Sequence, residues 1–379
     1  NLLEAENVNK EIEALCEELQ ESISLSKGNL IKAAIFRTKD KDELFICMHH
    51  LIVDGFSWRI ILDDFIKVYL ENNTVLQDKT ASFIEWGKKL NTLKENGFFE
   101  DDYSYWKDVV ETGNKYPIPY DKNQEDKREK ISFILDKSVT NDLVYKGSKF
   151  YKAKINELMI ASLINSINNE KLCLHLEGHG RNLVDDDIKI DRTVGWFTSL
   201  YPVKFEGKGT LEECIYNTKE TLRNIENREI GYGLLKHKLP SLNRNICFNY
   251  LGDFSDVLSD DFMQLSNYSM GELNAVENGC IFDISIDCAI YNGSLKGDIQ
   301  FNLGKYSREF ITELIEKWKH NLKKIADVKR EEVMVTPSDM GKVFITEKDF
   351  EVLKNKFDIN NIKALYNLTY LQEGMLYYK

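Results

Sequence analysis

Met48-His49-His50-Leu51-Ile52-Val53-Asp54-Gly55-Phe56-Ser57-Trp58-Arg59 is the stretch that carries both fold and chemistry. It follows Glu43-Leu44-Phe45-Ile46-Cys47, a run that reads as a buried strand. A strand sends successive side chains to opposite faces, so His49 and His50 cannot both look into one cleft; one is expected to be chemical and the other structural. The Asp54-Gly55 pair ends the strand in a turn. Ser57 or Asp54 can then cap a helix whose apolar positions Trp58, Ile61, Leu62, Phe65 and Tyr69 recur at helical spacing. Strand, imidazole, turn and helix together make a rigid support for a base.

The spacing His-His-x-x-x-Asp-Gly resembles the signature of the condensation-domain superfamily of nonribosomal peptide synthetases, which includes chloramphenicol-acetyltransferase-like acyltransferases and epimerization domains. Three further segments resemble the epimerization branch. They are Leu176-Glu177-Gly178-His179-Gly180-Arg181, then Asp191-Arg192-Thr193-Val194-Gly195-Trp196-Phe197-Thr198-Ser199-Leu200-Tyr201-Pro202-Val203, then Cys247-Phe248-Asn249-Tyr250-Leu251-Gly252. Condensation domains resemble the second segment only loosely, with a proline where Trp196 stands. Ile230-Gly231-Tyr232-Gly233-Leu234-Leu235 is a fourth match, and the order and spacing of all four argue against chance.

Composition narrows the classes. A chain of 379 residues, 42% hydrophobic and 11% aromatic, is long enough for two sizeable cores. Net charge is −12 and no basic stripe alternates with aromatics, which disfavours nucleic acid. No apolar run approaches a membrane span and no signal or transit pattern opens the chain, so the expectation is a cytoplasmic protein with no membrane partner. Seven cysteines without a Cys-x-x-Cys pair read as small core hydrophobes. No metal is expected, because His49-His50 lacks zinc-site spacing and no third ligand follows.

The segment from Thr112 through Pro117 and Pro119 to Lys130 is the expected crossover between lobes. This predicts an N-terminal lobe over 1–125 and a C-terminal lobe over 126–334. Beyond Val335-Thr336-Pro337-Ser338-Asp339 a charged, loosely packed linker is expected to run to Asn361. Residues 335–379 are thus read as a linker and, from the resemblance of Leu368 to Leu376, as the start of a following condensation domain. The family's first core would lie upstream of Asn1, so the N-terminal lobe is expected to be truncated at its start.

The resemblance implies an α/β (α+β) fold of two chloramphenicol-acetyltransferase-like lobes forming a V with a central tunnel. It implies epimerization, L to D, of the α-carbon of an aminoacyl or peptidyl thioester. The substrate would ride the 4′-phosphopantetheine arm of an upstream peptidyl carrier protein, with no cofactor bound by this chain. His50 and Glu177 are the expected proton-transfer groups, since inversion calls for groups on both faces of the carbon and for stabilisation of the developing oxyanion. Burial at a strand end would raise the basicity of Glu177. Asn249 and Tyr250 are expected to donate to the thioester oxygen. His49, Asp54, Gly55, His179 and Arg181 are expected to support the site, with Arg59 or Arg181 pairing Asp54. Trp196 and Phe197 are expected to line the tunnel, and Gly178, Gly180 and Gly195 to let backbone approach the arm. An amide-forming condensation domain and a catalytically silent carrier-docking module are the alternatives.

Overall fold

The structure is a computed structural model and describes residues 2–3, 7–71, 74–120, 127–182, 187–225, 228–255, 264–272, 280–329, 333–341 and 345–377. Residues 121–126 of the expected crossover lie outside these. The fold is mixed α/β. Its strands are β1 (Ile31–Arg37), β2 (Asp42–Met48), β3 (Arg128–Leu135), β4 (Lys171–Gly178), β5 (Ser199–Glu206), β6 (Ile246–Asp253), β7 (Ile284–Tyr291) and β8 (Ser294–Asn302). Its helices are α1 (Val8–Glu21), α2 (Gly55–Leu70), α3 (Phe83–Glu95), α4 (Tyr103–Lys115), α5 (Lys137–Asp142), α6 (Ser148–Tyr151), α7 (Ile155–Ile167), α8 (Leu211–Ile225), α9 (Glu229–Leu235), α10 (Arg308–Ala326), α11 (Glu347–Lys356) and α12 (Tyr370–Tyr377).

β1 and β2 form an antiparallel ribbon, while the other six strands form one sheet in the order β3-β8-β7-β6-β4-β5. In that sheet β4–β6 and β6–β7 are parallel and the remaining pairs antiparallel. Leu172, Leu174 and Leu176 of β4 alternate onto the core side, as the period of two requires. α10 covers this side with Leu314, Trp318, Leu322 and Ile325, an i, i+4, i+8, i+11 stripe, and Ser307 caps its start by accepting from the Phe310 N–H. Trp318 packs between Phe133 and Phe248, and its indole N–H reaches the Met159 carbonyl at 3.0 Å and Ser162 Oγ at 2.9 Å. This fully buried indole therefore leaves no polar atom stranded.

Three expectations change. The boundary near 125 separates the two sheets but not the two cores. Trp86 of α3 and Trp106, Val109 and Val110 of α4 are buried in the same core as the six-stranded sheet. α4 reaches it because Gly113 meets Cys173 without a side chain between them. The ribbon has its own small core of Ile12, Cys16, Phe36 and Phe45. β2 is also not a fully buried strand: Phe45 is buried, but Leu44 is 42% exposed, and its ribbon neighbours Ile31 and Ile35 are 52% and 61% exposed.

The segment after Val335 is not loosely packed where it begins. Thr336 is fully buried and starts a capped turn with Asp339, whose carboxylate accepts from Lys219 Nζ at 2.8 Å and Arg223 Nη1 at 2.6 Å on α8. Val335, Met340 and Phe350 then close a third small core. The turn is fixed because Lys219, itself fully buried, needs a partner there.

Candidate active site

The turn after β2 is built by its own polar side chains. His49 caps the short turn His50–Ile52, its Nδ1 accepting from the Leu51 N–H at 3.2 Å. His50 is exposed, and its ring lies 5.1 Å from that of Trp196. Asp54 is the N-cap of α2, accepting from the Ser57 N–H at 2.7 Å. Its other oxygen accepts from the Phe197 N–H at 3.0 Å.

Arg181, rather than Arg59, is the partner of Asp54, at 3.4 Å. The guanidinium also donates to the carbonyls of Ile190 and Thr193, each at 2.8 Å, and to Ser57 Oγ at 3.1 Å. Its faces are taken by the rings of Phe197 at 4.0 Å and Phe56 at 4.6 Å. Nη1 and Nη2 are each bonded twice, which makes the buried charge tolerable, while Nε has no hydrogen-bond partner among the described residues. Ser57, expected only as a cap, is a hub: fully buried, it also exchanges hydrogen bonds with both backbone groups of Gly195. Its place three residues after Asp54 was the available signal.

Glu177 ends β4 beside β6, and Asn249 Nδ2 donates to its Oε2 at 2.9 Å. Both line a cavity of about 550 Å³, with Tyr250, His179, Arg59, Gly55 and Phe56 also on its wall. Glu177 is exposed, and it faces this cavity. Burial, and then the Asp287 carboxylate, push Glu177 up to about 7. Burial pushes the Tyr250 phenol up to about 12, so it stays a hydrogen-bond donor near neutrality.

His50, Trp196 and Phe197 are not on this wall. Phe197 lines a second cavity of about 600 Å³ instead, which shares Thr198 and Glu229 with the first. Trp196 is 43% exposed beside His50. Thus Glu177, Asn249, Tyr250 and His179 come together, and the loop of His50 reaches them through Gly55 and Phe56. His179 braces the backbone, accepting from the Arg181 N–H at 3.1 Å, and Asn249 spends an amide hydrogen on Glu177.

The glycines serve the protein's own packing. Gly180 has φ +63°, and a Cβ there would fall 1.6 Å from the Phe197 carbonyl oxygen. A Cβ on Gly195 would fall 2.8 Å from the Phe83 ring. Arg59, missed as a site residue, lines the cavity, donates to the Leu251 carbonyl at 3.1 Å and lies over the Phe254 ring. Among the described residues no helix is long and apolar enough to cross a membrane.

A family model described as "Condensation domain" matches residues 2–338. A mycosubtilin synthase of Bacillus subtilis is 32% identical over 408 residues, covering 100% of this chain and 15% of its own length. Bacitracin synthase 1 of Bacillus licheniformis is 33% identical, covering 95% of this chain and 7% of its own. The chain therefore spans a small part of these relatives. Among solved structures, the epimerization domain from the third module of tyrocidine synthetase B superposes with a TM-score of 0.78 at 29% identity, over 86% of this chain and 78% of that one. The condensation domain from Monacolin K polyketide synthase shares the fold, with a TM-score of 0.64 at 16% identity over 80% of this chain and 74% of that one.

Proposed function

The chain belongs to the condensation-domain family, and from that premise we propose that it epimerizes the α-carbon of an aminoacyl or peptidyl thioester on the 4′-phosphopantetheine arm of a carrier protein. The observation that carries this reading is Glu177, a carboxyl on the cavity wall aimed by Asn249, which burial and then the Asp287 carboxylate push up to about 7. A group poised near ambient pH can both take and return a proton. A thioester α-proton is still too weakly acidic for a carboxylate alone. Tyr250, as a neutral phenol, and the Arg59 cation on the same wall supply what a developing enolate oxygen requires.

In this reading one face of the carbon loses its proton to one group, and the opposite face gains a proton from the other. The motif resemblance assigns His50 as the second group; it stands exposed outside the cavity wall, on the loop whose Gly55 and Phe56 line it, so the arm has to bring the carbon between this loop and Glu177. No metal or further cofactor is invoked. An upstream peptidyl carrier protein supplies the substrate and a downstream condensation domain takes the product.

The test loads a partner carrier with a panel of L-aminoacyl groups in deuterated water and measures label at the α-position. Wild type is expected to exchange and to give both configurations. Glu177→Gln and His50→Ala are each expected to lose about 10²- to 10⁴-fold in exchange rate. Amide formation between two loaded carriers without exchange would establish the condensation alternative, and neither activity would leave the docking module.

A further inference from the structure

Glu229 opens α9 and lies on the wall of both cavities, which adjoin at this residue and at Thr198. A Cβ built on Gly178 would fall 3.7 Å from Glu229 Cγ, and successive residues of a strand point to opposite faces. The Glu229 side chain therefore flanks the end of β4 on the face opposite to Glu177. It is only 6% exposed.

Its bonds account for half of the carboxylate. Oε1 accepts from Asn182 Nδ2, whereas Oε2 has no donor among the described residues. No backbone N–H among them donates to either oxygen, so the group is not a cap of α9. Nor does a cation of the chain balance it, since among the described residues Glu229 has no ion-pair partner. Arg228, next to it in sequence, pairs with Asp102 at 3.6 Å, Arg181 pairs with Asp54, and Arg223 is shared by Glu157 and Asp339. Arg59 is bonded to the Leu251 carbonyl, and His179 is turned to the Arg181 backbone. A buried carboxylate is unfavourable unless it is both paired and bonded.

The second cavity holds two more unmet groups. His175 and Ser199 are on its wall, and His175 Nδ1 and Ser199 Oγ are buried with no hydrogen-bond partner among the described residues. His175 stands two residues before Glu177, hence on the same face of β4. Trp86, Phe197, Tyr232 and Leu234 make much of the remaining wall apolar. An apolar cavity with a few polar groups lacking partners is the form of a small-ligand site. Resting on the reading above for the arm and its thioester, we propose that this cavity receives the substrate's acyl group beyond the reacting carbon and that Glu229 holds a protonated amine of that group. The substrate class is thus a thioester bearing an ammonium, either the α-amine of an aminoacyl group or the amine of a basic side chain. The ammonium N–H groups give Oε2 the donors it lacks, and the positive charge balances the carboxylate.

The test measures binding of four pantetheine probes to the full chain by calorimetry, each with an amide nitrogen in place of the thioester sulfur. They form two pairs: phenylalanyl against N-acetylphenylalanyl, and N-acetylornithyl against the neutral N-acetylcitrullyl. In at least one pair wild type is expected to bind the cationic probe about tenfold or more tightly than its neutral counterpart. Preference in the first pair assigns the α-amine, and preference in the second the side-chain amine. Glu229→Gln is expected to remove the preference and Glu229→Asp to keep part of it. Absence of binding by wild type, equal binding within both pairs, or a preference that survives in Glu229→Gln overturns the proposal. So does failure of both variants to fold, which would make the carboxylate structural. The probes undergo no reaction, so lack of α-exchange on loaded carriers would remove the epimerase reading while the binding preference would still stand.

Discussion

The Asp54 carboxylate and the Arg181 guanidinium, 127 residues apart in sequence, meet at 3.4 Å with side chains only 2% and 4% exposed. The pair joins the turn before α2 to the segment that follows β4. Through the Phe197 N–H it also fixes the segment leading into β5. Three distant stretches of chain are thus locked in one arrangement.

Removing one partner of such a pair leaves the other charged and dry. Asp54→Ala is expected to cost about 3–5 kcal/mol, read as a lower midpoint of denaturant unfolding. Asp54→Asn retains an acceptor for the Ser57 N–H and is expected to cost less.

Gly180→Ala combines a left-handed backbone with a Cβ driven into the Phe197 carbonyl. About 3 kcal/mol or more of destabilisation is expected. Since the displaced carbonyl belongs to the residue whose N–H holds Asp54, amide exchange in the turn at 54–57 should accelerate as well.

Glu177 makes stability fall with pH in a defined window. Its folded value, about 7, lies above the ordinary 4.5, so the native state holds the proton more tightly than the unfolded chain. The favourable contribution is complete below 4.5 and is lost as pH rises through about 7. Stability of Glu177→Gln relative to wild type should therefore rise across this interval, as measured by urea unfolding at several pH values.

Asp339 has the opposite sign. Burial alone would push its carboxyl up, but the bonds from Lys219 and Arg223 outweigh burial and hold it below the ordinary 3.8. Its stabilisation is present above 3.8 and is lost as pH falls through the lower folded value. Asp339→Ala strands the fully buried Lys219 and should cost about 3–5 kcal/mol. Hydrogen exchange across 336–340 should report the released turn.

What could be read from the sequence was local. The Asp54 cap, the α10 stripe and the strand-end position of Glu177 follow from spacing within a few residues. The same holds for Tyr291-Asn292-Gly293-Ser294, a two-residue hairpin turn between β7 and β8 that carries the Asn-Gly signal. Choices between distant partners were not legible: periodicity could not say that Arg181 rather than Arg59 meets Asp54, or that α3 and α4 join the larger core.

Among the described residues the ribbon of β1 and β2 has two strands and presents Ile31, Ile35 and Leu44 on its outer side, with the Leu2 N–H donating to the Arg37 carbonyl of β1 at 2.9 Å and the β2 border left open. Oily side chains next to free amides and carbonyls form a template to which another extended chain can add. In concentrated solution this corner, more than the acidic remainder of the surface, should govern colloidal behaviour. Light scattering that rises with concentration, and that a lysine in place of Ile35 suppresses, is the expected signature.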